Sequence, residues 1–249
     1  MNKINKLLLF DVDGTICESG KKITLQMAQS INNLISRKYD IGIVGGGTFE
    51  KIIYQLDNLV IPYYIFSECG SVYHKLNKEL NQYELINKNN LRLEPEYIKI
   101  NKLVKESLKF ISSMDYLISG NFIDLRNGLI YISLVGMSAN DEERTNFIEL
   151  DKIYKFREKL IDILTKYSEK LNLNEYLSIC EGGSVGIGIY PKKWDKIQVL
   201  NWINNYDNIY FFGDKYTPGG NDYELMQCSQ IIPYPTNSLE QTMDILDKI

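Results

Sequence analysis

Two aspartates one residue apart close the apolar run Leu7 to Phe10: the chain reads LLLFDVDGT, with Asp11 and Asp13 at the exit of what the pattern predicts is a buried strand. Carboxylates that close repel each other, so a cation or a shared proton must offset the cost. A third aspartate, Asp214, leaves a later β-rich run, Asn208 to Phe212, through Gly213. Parallel strands bring their carboxyl ends to one edge of a sheet, so the three acids can converge although they are distant in sequence. Magnesium takes a few carboxylate oxygens together with water and phosphate, and would neutralise such a set. An aspartate beside it can attack phosphorus and form an aspartyl-phosphate. Its neighbour two residues on points differently and can act as acid and base for the leaving or attacking oxygen. Taken alone, the spacing has a plainer meaning as well, a pair of strand-end aspartates capping a turn. An EF-hand loop is excluded, because Gly14 stands at position 4 from Asp11 and Lys22 at position 12.

The elements that must position these acids alternate between strand and helix. After Leu7 to Phe10, Leu25, Met27, Ala28, Ile31, Leu34 and Ile35 fall at helical spacing, and Asp40 to Val44 runs as a strand into the glycines 45–47. Phe49 to Leu56 is a second helical stretch and Tyr63 to Phe66 a third strand, which implies a parallel sheet with its ligands at the carboxyl edge. The middle changes character. Asn127-Gly128 sits between two β-rich runs, Phe122 to Arg126 and Leu129 to Val135, a hairpin signal. A single helix is expected over about 152–171, followed by strands at Tyr176 to Cys180 and Val185 to Tyr190, together an antiparallel α+β module. The α/β pattern resumes with a helix over Trp194 to Ile203 and the strand Asn208 to Phe212.

Composition narrows the classes. The chain has 249 residues, 44% of them hydrophobic and 24% charged, which is a globular balance rather than a disordered one. A net charge of -4 lacks the basic excess that displaces counterions from nucleic-acid phosphates, so no nucleic-acid partner is expected. The four cysteines form no CxxC pair, and with His74 the only histidine neither a zinc centre nor a Ser-His-Asp triad is expected. The polar start, Met1 to Lys6, does not look like a signal peptide, and no apolar run approaches the ~20 residues of a membrane span. A reducing cytoplasm is the expected compartment.

FDVDGT strongly resembles the nucleophile motif of the haloacid-dehalogenase-like phosphotransferases. Val44-Gly-Gly, Leu125-Arg-Asn-Gly128, Asp141-Glu-Glu-Arg144, Glu181-Gly-Gly183, the run Pro191 to Lys196 and the run Phe211 to Asp222 follow in an order and spacing similar to the eukaryotic-type phosphomannomutase family, over nearly the whole chain. The resemblance implies an α/β fold: a Rossmann-like parallel-sheet core of the haloacid-dehalogenase type over residues 1–85 and 190–249, with an inserted α+β cap over 86–189. It implies Asp11 as nucleophile, Asp13 as general acid/base and Lys196 as the cation at the phosphoryl oxygens. Asp214 would complete the magnesium site with Asp11 and the Asp13 backbone, with Asp222 supporting it. Arg126 and Arg144 of the cap would hold the distal phosphate. A hexose phosphate substrate, a sugar 1,6-bisphosphate activator and a homodimer through the cap are implied too; Tyr131, Ile132, Leu134 and Val135 suit that interface or a plain cap core.

The chain departs from the family where the sugar phosphate would be read. Met137 replaces a phosphate-binding arginine, and Gly186 and Gly188 stand where a serine and an aspartate would meet the sugar. Gly20 stands in place of an arginine, with Lys21 or Lys22 as partial substitutes; Gly47 replaces a phosphate-binding serine, with Thr48 beside it; Cys69 replaces an asparagine. Charge-assisted hydrogen bonds contribute about 1.5–3 kcal/mol each, so losing several uncompensated would weaken sugar-phosphate binding by roughly two to four decades. The expectation is a phosphomannomutase that interconverts mannose 6-phosphate and mannose 1-phosphate. The alternatives are a sugar-phosphate phosphatase with an altered cap and a catalytically silent binding paralogue, against which the retained carboxylates speak.

Overall fold

A computed structural model describes residues 5–249; the polar stretch 1–4 lies outside the described residues. The chain divides into two compact units, Met1–Asn89 with Trp194–Ile249, and Asn90–Lys193. In chain order the first unit contributes β1 (Lys6–Phe10), α1 (Leu25–Ser36), β2 (Asp40–Val44), α2 (Phe49–Leu56), β3 (Tyr64–Ser67), β4 (Val72–Asn77) and β5 (Gln82–Lys88). The inserted unit holds α3 (Tyr97–Ser112), β6 (Ile123–Leu125), β7 (Ile130–Ser133), α4 (Asp141–Tyr154), α5 (Phe156–Lys170), β8 (Leu177–Gly182) and β9 (Gly186–Pro191). The chain then completes the first unit with β10 (Asn208–Gly213), α6 (Tyr223–Gln227), β11 (Ile231–Pro235) and α7 (Leu239–Leu246).

The first unit is a seven-stranded sheet in the order β11-β10-β1-β2-β3-β4-β5. The first five of these pair in parallel, while β4 and β5 add an antiparallel hairpin at one edge. Central β1 is buried on both faces, which is why its sequence is continuously apolar rather than alternating. Leu8 and Phe10 pack with α1, α2 and α7 on one side; Leu7 and Leu9 pack with Val199, Ile203, Leu225 and Met226 on the other. Each fully buried leucine contributes about 1.5–3 kcal/mol, so the strand that carries Asp11 is among the best anchored in the molecule.

The inserted unit is a four-stranded antiparallel sheet, order β6-β7-β9-β8, with the Asn127-Gly128 hairpin between β6 and β7. Ile132, Leu134 and Val135 are buried within the unit and belong to its core. Two expected elements differ. The single helix expected from about 152 breaks at Lys155, whose φ of 57° is left-handed, into α4 and α5. The Asp151 carboxylate accepts from the backbone N–H of Arg157 at 2.9 Å and from its Nε at 2.6 Å, tying the start of α5 to the end of α4. The helix expected over Trp194 to Ile203 is instead two tight 3₁₀ turns, Lys192–Trp194 and Lys196–Asn201. Among the described residues no helix is long and apolar enough to cross a membrane.

Candidate active site

β1 and β10 pair with Phe10 level with Phe212, and the Asp11 N–H donates to the Phe212 carbonyl at 2.8 Å. The two phenylalanine rings stack 4.7 Å apart, fixing both strand exits from below. Asp11 and Asp214 therefore leave the sheet side by side, as parallel pairing requires. Asp222 joins them, and one carboxylate oxygen of each of the three lies within 4.8 Å of the others.

Lys196 is fully buried, with Nζ 2.5 Å from Oδ1 of Asp11 and 2.5 Å from Oδ1 of Asp222. The other oxygen of Asp222 accepts from the Lys215 N–H at 2.9 Å, so both oxygens of this carboxylate are in use. Asp214 is the reverse: its Oδ1 is buried with no hydrogen-bond partner among the described residues, as is Oδ1 of Asn221 in the same loop. Orphaned buried acceptors are costly and demand a donor or a cation. An all-oxygen set of this kind is what a hard divalent ion takes, so the residues fit magnesium, with Asp11 and Asp214 as its carboxylate ligands. The loop passes so close that a Cβ on Gly14 would lie 2.5 Å from Oδ2 of Asp214, and φ at Gly14 is +90°; only glycine meets both demands.

The electrostatics agree with this chemistry. Burial, reinforced by Asp222 and Asp214, pushes the Asp11 carboxyl up to about 8 against the pull of Lys196. Burial raises Asp214 too. Lys196 is held protonated, its own burial outweighed by Asp11 and Asp222. A divalent cation among these acids would bring Asp11 back to the ionised state that a nucleophile needs.

Asp13 behaves differently. Burial acts to raise it, but Lys51 at 2.8 Å, the Gly20 N–H at 2.9 Å and Nε2 of Gln55 at 2.8 Å together bring the carboxyl below its ordinary value. Lys51 and Gln55 lie one turn apart on α2 and were not singled out from the sequence; the i, i+4 pair on a helix that follows a glycine loop is the signal that marks them. The stem of Lys51 runs against Gly47, where a Cβ would sit 3.0 Å from the lysine Cδ. Thr48 caps α2, its Oγ1 accepting from the Lys51 N–H at 3.3 Å. Lys21 is exposed and offers its carbonyl to Gln55 at 3.3 Å, while Lys22 pairs with Asp57. Cys69 follows Glu68 in a left-handed stretch, with φ of 57° and 52°.

The remaining sequence candidates lie in the inserted unit. Nε of Arg126 pairs with Asp124 at 2.7 Å, and its guanidinium lies over the Tyr131 ring at 4.9 Å. Arg144 reaches Ser184 Oγ at 3.3 Å, in the turn that precedes Gly186. Arg157 donates to the Gly183 carbonyl of the same turn at 3.4 Å, a second guanidinium there, one that the sequence did not single out. Gly186 and Gly188 lie on β9, and Met137 is exposed.

A pair of aspartates, a buried lysine and further carboxylates at the carboxyl edge of this parallel sheet mark a haloacid-dehalogenase-like fold. Solved structures share the fold: an IMP-bound IMP-nucleotidase of Plasmodium falciparum matches with a TM-score of 0.70 at 18% identity, covering 99% of this chain and 68% of that one. A protein of Thermoplasma acidophilum matches with a TM-score of 0.63 at 15% identity, covering 99% and 98%. The family model described as eukaryotic phosphomannomutase matches residues 27–249. The phosphomannomutase of Solanum lycopersicum is 34% identical over 97% of this chain and 92% of its own length, and that of Arabidopsis thaliana 35% identical over 95% and 93%. The chain belongs to the eukaryotic phosphomannomutase family.

Proposed function

We propose that this protein interconverts mannose 6-phosphate and mannose 1-phosphate through an aspartyl-phosphate on Asp11, with magnesium and a sugar 1,6-bisphosphate as activator. The observation that carries the proposal is Lys196, buried between Asp11 and Asp222: a permanent cation held 2.5 Å from the nucleophile is positive charge placed where phosphoryl oxygens would arrive. By holding Oδ1, Lys196 turns Oδ2 of Asp11 toward phosphorus. The new bond is Asp11 Oδ2–P, and the bond that breaks joins phosphorus to the sugar oxygen. Asp13, ionised at rest, takes the proton of the sugar hydroxyl that accepts a phosphoryl group from Asp11, and gives it to the sugar oxygen that leaves when the other phosphate is transferred to Asp11. Gln55, Lys51 and the Gly20 N–H hold Asp13 in place for both steps. When bound, magnesium would be held by Asp11 and Asp214 and would supply charge neutralisation at the phosphoryl group. Arg126 and Arg144 are the guanidinium donors suited to the second phosphate of a bisphosphate.

Phosphorus NMR tests this directly. Mannose 1-phosphate with magnesium and glucose 1,6-bisphosphate should give mannose 6-phosphate, with none from Asp11→Asn. Inorganic phosphate as the main product would make the protein a phosphatase instead, and no turnover of either kind would overturn the proposal.

A further inference from the structure

The sheet of the inserted unit carries an arrangement that the family's motifs do not foretell. β7 and β9 pair with Tyr131 opposite Gly188 and Ser133 opposite Gly186, and β8 places Gly182 opposite Gly186. Alternation sets Tyr131, Gly182, Gly186 and Gly188 on one face, and Ile130, Ile132, Ile187 and Ile189 on the other. The half-buried phenol lies across the glycines. A Cβ on Gly186 would stand 2.5 Å from the Tyr131 hydroxyl oxygen and 2.4 Å from the Ile132 carbonyl oxygen. One on Gly182 would stand 3.1 Å from the edge of the ring, and one on Gly183 would stand 3.5 Å from the hydroxyl. No side chain fits at 186, and the nearest hydroxyl to that point comes from the neighbouring strand.

We propose that Tyr131 is the specificity-determining residue of this chain, its hydroxyl reading the sugar from the place where the resemblance sets a serine at 186. The inference rests on the hexose-phosphate function proposed above. Two features support it beyond position. A phenol is rigid and both donates and accepts, so it can pair with a sugar hydroxyl in either sense. The guanidinium of Arg126, proposed above for the second phosphate, lies 4.9 Å from the centre of the same ring, so the proposed phosphate and sugar contacts would adjoin. A buried site that hydrogen-bonds a substrate hydroxyl discriminates between epimers far better than an apolar one.

The test compares the full-length protein with Tyr131→Phe, which removes one oxygen and leaves the ring under Arg126. KM for mannose 1-phosphate should rise about tenfold, the worth of one hydrogen bond, with kcat nearly unchanged. The preference between mannose 1-phosphate and glucose 1-phosphate should shrink in parallel. Inhibition by inorganic phosphate, which has no sugar, should be unaltered. KM does not depend on the fraction of protein folded, so a partly unstable variant still reports. An unchanged KM overturns the proposal, and so does a parallel weakening of phosphate inhibition, which would make the ring a support for Arg126 only. A wild-type protein that turns over no hexose phosphate overturns the underlying function and this inference with it.

Discussion

Lys51→Met is the sharpest probe of how the Asp13 carboxylate is set. Lys51 reaches Asp13 at 2.8 Å, and the pair helps bring Asp13 below its ordinary value. A hydrogen bond to a charged group is worth about 1.5–3 kcal/mol. The lysine side chain is 38% exposed, so solvent screening takes about half of that. Removing it should raise the Asp13 pKa, with Gln55 and the Gly20 N–H still in place. A carboxylate with a depressed pKa stays ionised further into acid, so its loss of a partner moves the acid limb of the profile upward. The assay is kcat/KM against pH, coupled to mannose 6-phosphate formation, for wild type and variant. A limb that stays put while activity falls evenly at every pH would refute the reasoning and give Lys51 a direct role on phosphate.

Two further perturbations address the buried acids. Magnesium should stabilise the wild-type protein against heat, by about 2.7 kcal/mol at a hundred times its Kd, and Asp214→Asn should abolish most of that shift in a thermal melt. Lys196→Met leaves Asp11 and Asp222 buried without their cation and should cost about 3–5 kcal/mol of stability, besides activity. The Asp11 carboxyl, already pushed up to about 8 by burial, takes up a proton in acid, so the loss should be smaller there and grow as pH rises, which melts across a pH series would show.

The sheet that carries the catalytic edge was legible because β1 and β10 are buried on both faces and spell that as unbroken apolar runs. β5 was not legible: its side chains are mostly exposed, and an edge strand without an apolar face has no period to detect. α3 is faint in the sequence although it buries Ile100, Leu103, Val104 and Ile111, because its lysine-rich face dilutes the stripe. The break at Lys155 depends on a salt bridge between Asp151 and Arg157 that no local pattern announces. Among site residues, Asp11, Asp13, Asp214, Asp222 and Lys196 stand in motifs; the structure gathers Asp11, Asp214, Asp222 and Lys196, and ties Asp13 to Lys51 and Gln55 instead. Lys51 and Gln55 look like the solvated side of an amphipathic helix until the fold turns them toward Asp13. Tyr131 looks like one more strand tyrosine until the glycines of two other strands are laid beneath it.

The order in which the ribosome makes these parts has its own cost. β1 through β5 emerge first, then the whole inserted unit, and β10 only afterwards; the pairing of Asn5 with Asp207 spans 202 positions. At about 5–20 residues per second, β1 waits roughly 10–40 s with one side of its backbone unpaired. That side belongs to LLLF, the most apolar strand end in the chain, and an unpaired strand edge is a template for misassociation. The inserted unit can meanwhile close its own sheet, since all four strands lie within Asn90–Lys193. Newly made chains thus pass through a period in which the inserted unit can be finished while the seven-stranded sheet still lacks its last two strands.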